Sequence, residues 1–135
     1  MQVSDNRRCF ICGPDNPLGL RVKPSRDKDA GRAWLAVTIP DDYQGWAGIV
    51  HGGVISALLD EVSVYAALAV ARQIVTAELT VRYLKPVPTG REVRVEARIR
   101  EQVRRSVFVD AELLCDGVIL ASSEARLVVP RNMPL

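Results

Sequence analysis

Gly52-Gly53-Val54-Ile55-Ser56-Ala57-Leu58-Leu59-Asp60-Glu61-Val62-Ser63-Val64-Tyr65-Ala66-Ala67-Leu68-Ala69-Val70-Ala71 is the stretch on which the fold turns. It is apolar on nearly every face, holds good helix formers and no proline, and so reads as a helix wrapped by other elements. From Val54 to Val70 it approaches membrane-spanning length, but Asp60 and Glu61 sit at its middle, where charge is costly in lipid. The reading is a buried helix of a soluble protein with no membrane partner.

Downstream of the helix comes a series of β signals: Ile74 to Leu84, Glu92 to Arg104, Ser106 to Cys115 and Val118 to Val129. In the second, Val93, Val95, Ala97 and Ile99 alternate with Glu92, Arg94, Glu96, Arg98 and Arg100, the period of a half-buried antiparallel strand. Asp116-Gly117 is a tight hairpin signal, and Pro86 to Gly90 a looser turn. Before the helix, Ala33 to Ile39 has strand character and ends at Pro40, and Tyr43 to Val50 is a glycine-containing loop. Met1 to Asp29, broken by Gly13-Pro14, Asn16-Pro17 and Lys23-Pro24, reads as an irregular lead-in. One strand, one helix and four strands predict an α+β fold, an antiparallel sheet curled around the helix. Such a sheet leaves an edge that a second copy of the chain can cover.

Composition agrees with one domain over residues 1–135. The length suffices for a single core, and 48% hydrophobic with 25% charged residues is ordinary for globular chains. Eighteen Lys and Arg against 16 Asp and Glu leave a net charge of +2, which excludes a chain built mainly to coat nucleic acid. Three cysteines close no disulfide framework, and Met1 to Arg8 lacks a secretory apolar segment, so a cytoplasmic location is expected.

Chemistry concentrates in His51 to Glu61. The pair Gly52-Gly53 opening a helix leaves backbone N–H groups approachable by an oxygen bearing negative charge, an oxyanion hole in outline; the alternative is that the glycines only relieve crowding. Asp60, a carboxylate within an apolar helix, needs a reason: a polar cleft, or a structural partner such as an arginine. Ser56 and Ser63 share its stripe at i−4 and i+3, whereas Glu61 projects roughly 100° away and reads as a salt-bridge residue or a substrate contact. Eight residues separate Gly52 from Asp60, about 12 Å of helix rise, so both act on one carbonyl only if they come from different chains.

His51-Gly52-Gly53 followed by Leu59-Asp60-Glu61, with Glu78-Leu79-Thr80-Val81-Arg82-Tyr83-Leu84-Lys85-Pro86 downstream, resembles the hotdog-fold thioesterases of the phenylacetic-acid-degradation (PaaI-like) type. Cys9-Phe10-Ile11-Cys12-Gly13 through Asn16-Pro17-Leu18-Gly19-Leu20 is similar to members of the same group. The resemblance implies a homodimer or dimer of dimers (a homotetramer) hydrolysing an acyl-CoA thioester at the seam, with no metal and no organic cofactor. The Gly52 N–H would polarise the carbonyl, Asp60 of the other chain would act as general base or nucleophile, and Thr76 falls where relatives carry a hydroxyl that positions water. Where relatives often have an Asn six residues before the histidine this chain has Gly45, so the neighbouring Gln44 is the candidate substitute. His51 and Gly53 complete the substrate loop, with His51 orienting it rather than transferring protons.

Cys9-x-x-Cys12 could be half of a zinc site, but with one histidine and a distant Cys115 free thiols are preferred. Arg82, Lys85, Arg91, Arg94, Arg98, Arg100, Arg104 and Arg105 offer charges to coenzyme A phosphates or, interleaved with Glu92, Glu96 and Glu101, form a solvated strand face. Two other functions compete: a non-catalytic acyl-CoA-binding sensor, and a hotdog dehydratase or hydratase, which needs a histidine beside an acid.

Overall fold

The computed structural model describes residues 3–132, so Met1 and Gln2 of the expected lead-in and residues 133–135 lie outside it. Strands β1 (Ser25–Asp27) and β2 (Arg32–Thr38) precede helix α1 (Gly52–Ala67), and β3 (Val75–Tyr83), β4 (Glu92–Val103), β5 (Ser106–Cys115) and β6 (Val118–Val128) come after it. All pair antiparallel in one sheet of order β1-β2-β4-β5-β6-β3.

Alternation explains how the sheet grips the helix. Val93, Val95 and Ala97 of β4, Val107, Val109, Ala111 and Leu113 of β5, and Ala121, Ala125 and Leu127 of β6 are buried on one face. Against them α1 buries Ile55, Leu58, Leu59, Val62, Ala66 and Ala67. Fully burying Leu58, Leu59 and Val62 stabilises the fold by roughly 1.5–3 kcal/mol each. A curled antiparallel sheet wrapped around one long helix is the hotdog fold. Among the described residues, no helix is long and apolar enough to cross a membrane.

The Asp116-Gly117 hairpin forms as expected: both residues have positive φ, 50° and 77°, a backbone twist that matches the flanking strands. Three expectations need correction. The lead-in is not wholly irregular, because Ser25–Asp27 adds a short edge strand to β2. The helix stops at Ala67 rather than Ala71, since Ala69 and Val70 donate to Ala66 and Ala67 in i→i−3 bonds that tighten and end the last turn. Ser63 does not face a polar pocket; fully buried, its hydroxyl donates to the Leu59 carbonyl at 2.7 Å.

The two edges differ. β1 is three residues long, while β3 is nine residues long and its outer side has no partner among the described residues. β3 also carries a bulge, with Thr76 opposite Leu127 and Glu78 opposite Arg126, so Ala77 is the extra residue. The inserted residue moves Thr76 onto the face that Leu79 and Val81 turn toward the core.

Candidate active site

His51 caps α1. Its φ/ψ of −58°/134° is extended, and its Nδ1 accepts the Gly53 N–H at 2.8 Å, while its carbonyl receives the Val54 and Ile55 N–H groups. One ring nitrogen is therefore spent on the loop. Gly53 and Gly52 thereby part company: the Gly53 amide is engaged, and the Gly52 N–H has no acceptor among the described residues. An amide at the first position of a helix, backed by the positive end of the macrodipole, is a donor for developing negative charge.

The Gly52 amide has a defined setting. Gly45, Trp46, Val50, His51 and Gly52 line a pocket at this end of the helix, and Trp46 is 82% exposed. A Cβ on Gly45 would approach His51 Cα to 3.3 Å, so the loop packs closely on the capping histidine here. The Gln44 Oε1 accepts the Gly48 N–H at 3.0 Å, which fixes the loop while leaving the Gln44 amide donors pointing from an exposed residue.

Asp60, half-buried, lies further along α1. The Thr76 hydroxyl, aimed by the Ala77 bulge, donates to Asp60 Oδ1 at 2.6 Å. Among the described residues no Lys, Arg or His forms an ion pair with Asp60, so the arginine-paired structural alternative is not what occurs. A carboxylate held by one hydroxyl keeps lone pairs free to take a proton from water or to attack directly.

Glu61 sits elsewhere. Its carboxylate accepts from the Cys9 thiol, at 3.6 Å to Oε2, and faces the lead-in rather than the Thr76–Asp60 pair. Burial pushes its pKa up, opposed by the Cys12 and Cys9 thiols that favour the charged form. Burial likewise raises the Cys12 thiol to about 12, with Glu61 adding to the shift, and Tyr65, whose hydroxyl donates to Cys12 Sγ at 3.5 Å, is also raised by burial. Glu61 thus makes a lead-in contact that its expected substrate role did not anticipate.

The profile of the Thioesterase superfamily matches residues 47–121, which span the capping loop, α1 and the strands through the start of β6. The chain belongs to the Thioesterase superfamily.

Acyl-coenzyme A thioesterase THEM4 of Xenopus laevis is 29% identical over 78% of this chain, which spans about half, 48%, of that protein. Among solved structures, the phenylacetic acid degradation-related protein of Ralstonia eutropha JMP134 is 27% identical with a TM-score of 0.75, covering 82% of this chain and 86% of that one. The smu.793 protein of Streptococcus mutans UA159, solved bound to acetyl CoA, shares the fold at a TM-score of 0.75 and 20% identity, covering 81% of this chain and 88% of that one.

In this thioesterase-superfamily chain, one residue near the Gly52 amide escaped the sequence reading. The Tyr83 hydroxyl meets Ser56 Oγ at 2.5 Å and donates to the Gly52 carbonyl at 2.9 Å, and its ring is the nearest group to any Cβ placed on Gly52. An aromatic residue with a polar tip at the end of a strand was the available signal. Thr76 and Tyr83 mark the two ends of β3: Thr76 beside Asp60, and Tyr83 beside Gly52.

Proposed function

We propose that this protein hydrolyses acyl-CoA thioesters as a two-fold dimer, with Gly52 of one chain and Asp60 of the other acting on the same carbonyl. β3 runs antiparallel to α1, so its Thr76 end lies by Asp60 and its Tyr83 end by Gly52. Antiparallel pairing of β3 with the β3 of a second copy, about a two-fold axis near the strand centre, sets the Thr76 end of each against the Tyr83 end of the other. The Asp60 of one chain then comes beside the Gly52 amide of its twin, which a single chain cannot achieve across about 12 Å of regular helix. The open edge of β3, together with Tyr83 at 54% and Leu84 at 57% exposure, supplies the surface for that pairing.

The groups present then supply the chemistry. The thioester oxygen docks at the Gly52 N–H, which strengthens its hold as negative charge develops there. Asp60, oriented by Thr76, takes a proton from an attacking water or attacks the carbonyl carbon itself. The thiolate of coenzyme A leaves and takes up a proton. When water is the nucleophile the acyl group departs directly as the acid; when Asp60 attacks, water then hydrolyses the acyl–Asp60 anhydride to release the acid and restore Asp60. His51 fixes the loop through Gly53, and Gln44, whose Oε1 holds the Gly48 N–H of the same loop, is the candidate for a further donor to the carbonyl. The superfamily membership and the curated relative named acyl-coenzyme A thioesterase support the thioester; the acetyl CoA held by the Streptococcus protein on the same fold supports the coenzyme A half.

The single observation that carries this reading is that the Thr76-held, cation-free Asp60 and the unpartnered Gly52 amide lie on α1 against opposite ends of the open-edged strand β3. The test is release of free thiol from short-chain, medium-chain and aromatic acyl-CoA thioesters by the wild type and Asp60→Ala, with oligomeric state checked by sedimentation. Turnover lost in Asp60→Ala with the dimer intact is expected. Full activity in that variant contradicts the assignment, and ligand binding without turnover in the wild type would favour the sensor.

A further inference from the structure

The fold brings the Cys9-x-x-Cys12 loop against the middle of α1, where Cys9 meets Glu61 across 52 positions of sequence. We propose that Cys9, Cys12 and Glu61 bind one zinc ion, or another divalent ion of the same borderline-soft class, which pins the lead-in to the helix. Cys9, Cys12 and Cys115 form no disulfide, as expected of free thiols; the proposal goes beyond that expectation and stands whether or not the protein hydrolyses thioesters.

The first support is spacing. The three ligand atoms all lie within 4.8 Å of one another, and Cys9 Sγ is 3.6 Å from Glu61 Oε2. A tetrahedral ion with Zn–S near 2.3 Å and Zn–O near 2.1 Å requires a sulfur-to-oxygen edge of about 3.6 Å. The Cys9–Glu61 edge already has that length.

The second support is the loop itself. The Ile11 and Cys12 N–H groups both point at Cys9 Sγ, at 3.4 and 3.5 Å. Two amides aimed at one sulfur stabilise a thiolate, the form that ligates metal. The Gly13 N–H donates to the Cys9 carbonyl at 2.8 Å, and a Cβ on Gly13 would fall 2.3 Å from the Cys9 nitrogen, so the turn admits only glycine. Tyr65, donating to Cys12 Sγ at 3.5 Å, orients the second sulfur as an outer partner orients a metal ligand.

Charge balance gives the third. Glu61 is a half-buried carboxylate whose hydrogen-bond partners are sulfurs, and among the described residues it has no ion pair with Lys, Arg or His. Thiols are weak donors and compensate a desolvated carboxylate poorly. A divalent cation satisfies all three groups at once, with water in the fourth position, since no other Cys, His, Asp or Glu of the described residues joins the cluster. The adjacent Asp60 turns to Thr76 and is not a ligand.

The test is metal stoichiometry on the purified full chain. Protein expressed with added zinc is expected to keep one equivalent per chain through gel filtration. Cobalt(II) replacing it should give a thiolate charge-transfer band that vanishes in Cys9→Ser and Cys12→Ser and persists in Cys115→Ser. Affinity for Zn²⁺, by competition with a chromophoric chelator, should fall at least about tenfold in Glu61→Gln and about tenfold in Tyr65→Phe. A wild type that retains no zinc and shows no cobalt band overturns the proposal. So does a band that survives loss of either cysteine, or a Cys9–Cys12 disulfide in the freshly purified chain; the zinc content, the cobalt band and the thiol state of the wild type depend neither on the cysteine variants folding well nor on any hydrolytic activity.

Discussion

Replacing Gly52 by proline removes one atom group of interest and little else. Gly52 is the first residue of α1 after the His51 cap, the position where proline fits a helix best because its missing N–H has no intrahelical partner. The preceding residue must be extended before a proline, and His51 already is, at −58°/134°. A Cβ at position 52 meets only the Tyr83 ring, at an ordinary 3.5 Å. Gly52→Pro should therefore fold normally, and at a compatible position proline adds roughly 0.4–1 kcal/mol by restricting the unfolded chain. Its effect on catalysis should be large, because one oxyanion donor carries about 10²–10³ in kcat, roughly 2.7–4 kcal/mol. Gly52→Ala, which keeps the N–H and adds the same Cβ, is the control. The assay is thiol release from an acyl-CoA with kcat and KM separated, alongside a thermal melt. If Gly52→Pro turns over as fast as Gly52→Ala, the amide does not bind the developing oxyanion, and the reasoning from the helix start is refuted.

Thr76→Val removes a hydroxyl that donates to a carboxylate at 2.6 Å, and a charge-assisted bond at a half-buried site should be worth about 1.5 kcal/mol, the low end of the range. A roughly tenfold loss, mainly in kcat, is expected, with Thr76→Ser near wild type; equal loss in both variants would mean the role is packing. His51→Ala deletes the cap on Gly53 and should cost about 1 kcal/mol of stability by chemical denaturation; no change would mean the cap bond is energetically idle. The Cys12 thiol ionises near 9.0 when unfolded and about 12 when folded, so the native state holds its proton longer. Stability of chelator-treated protein should therefore fall as pH rises from 9 toward 12, and fall less in Cys12→Ser; a flat profile for the wild type contradicts the shift.

Much of the fold was legible because periodicity reports burial directly. The strict alternation in β4 and the Asp116-Gly117 turn fixed strands to within a residue or two. The apolar run through Ala71 hid where α1 ends, since Ala71 remains buried in the turn after the helix and hydrophobicity does not distinguish the two. β1 was illegible for the opposite reason: Ser25–Asp27 is polar and exposed, and only its pairing with β2 makes it a strand. Within the site, the glycine pair and Asp60 stood out locally, but Tyr83 over Gly52 and the cysteine loop on Glu61 are tertiary contacts 31 and 52 residues apart, which spacing along the chain does not encode. The Ala77 bulge that aims Thr76 is likewise a property of the pairing with β6.

The central claim is that each site takes its amide from one chain and its acid from the other, and mixed dimers test it most directly. Gly52→Pro and Asp60→Asn chains, each nearly inactive alone, are co-expressed with different affinity tags and the heterodimer isolated. One of its two sites then holds the intact Gly52 of one chain and the intact Asp60 of the other, so about half the wild-type rate per dimer should return. A heterodimer as inactive as its parents would place both groups on one chain and contradict the account.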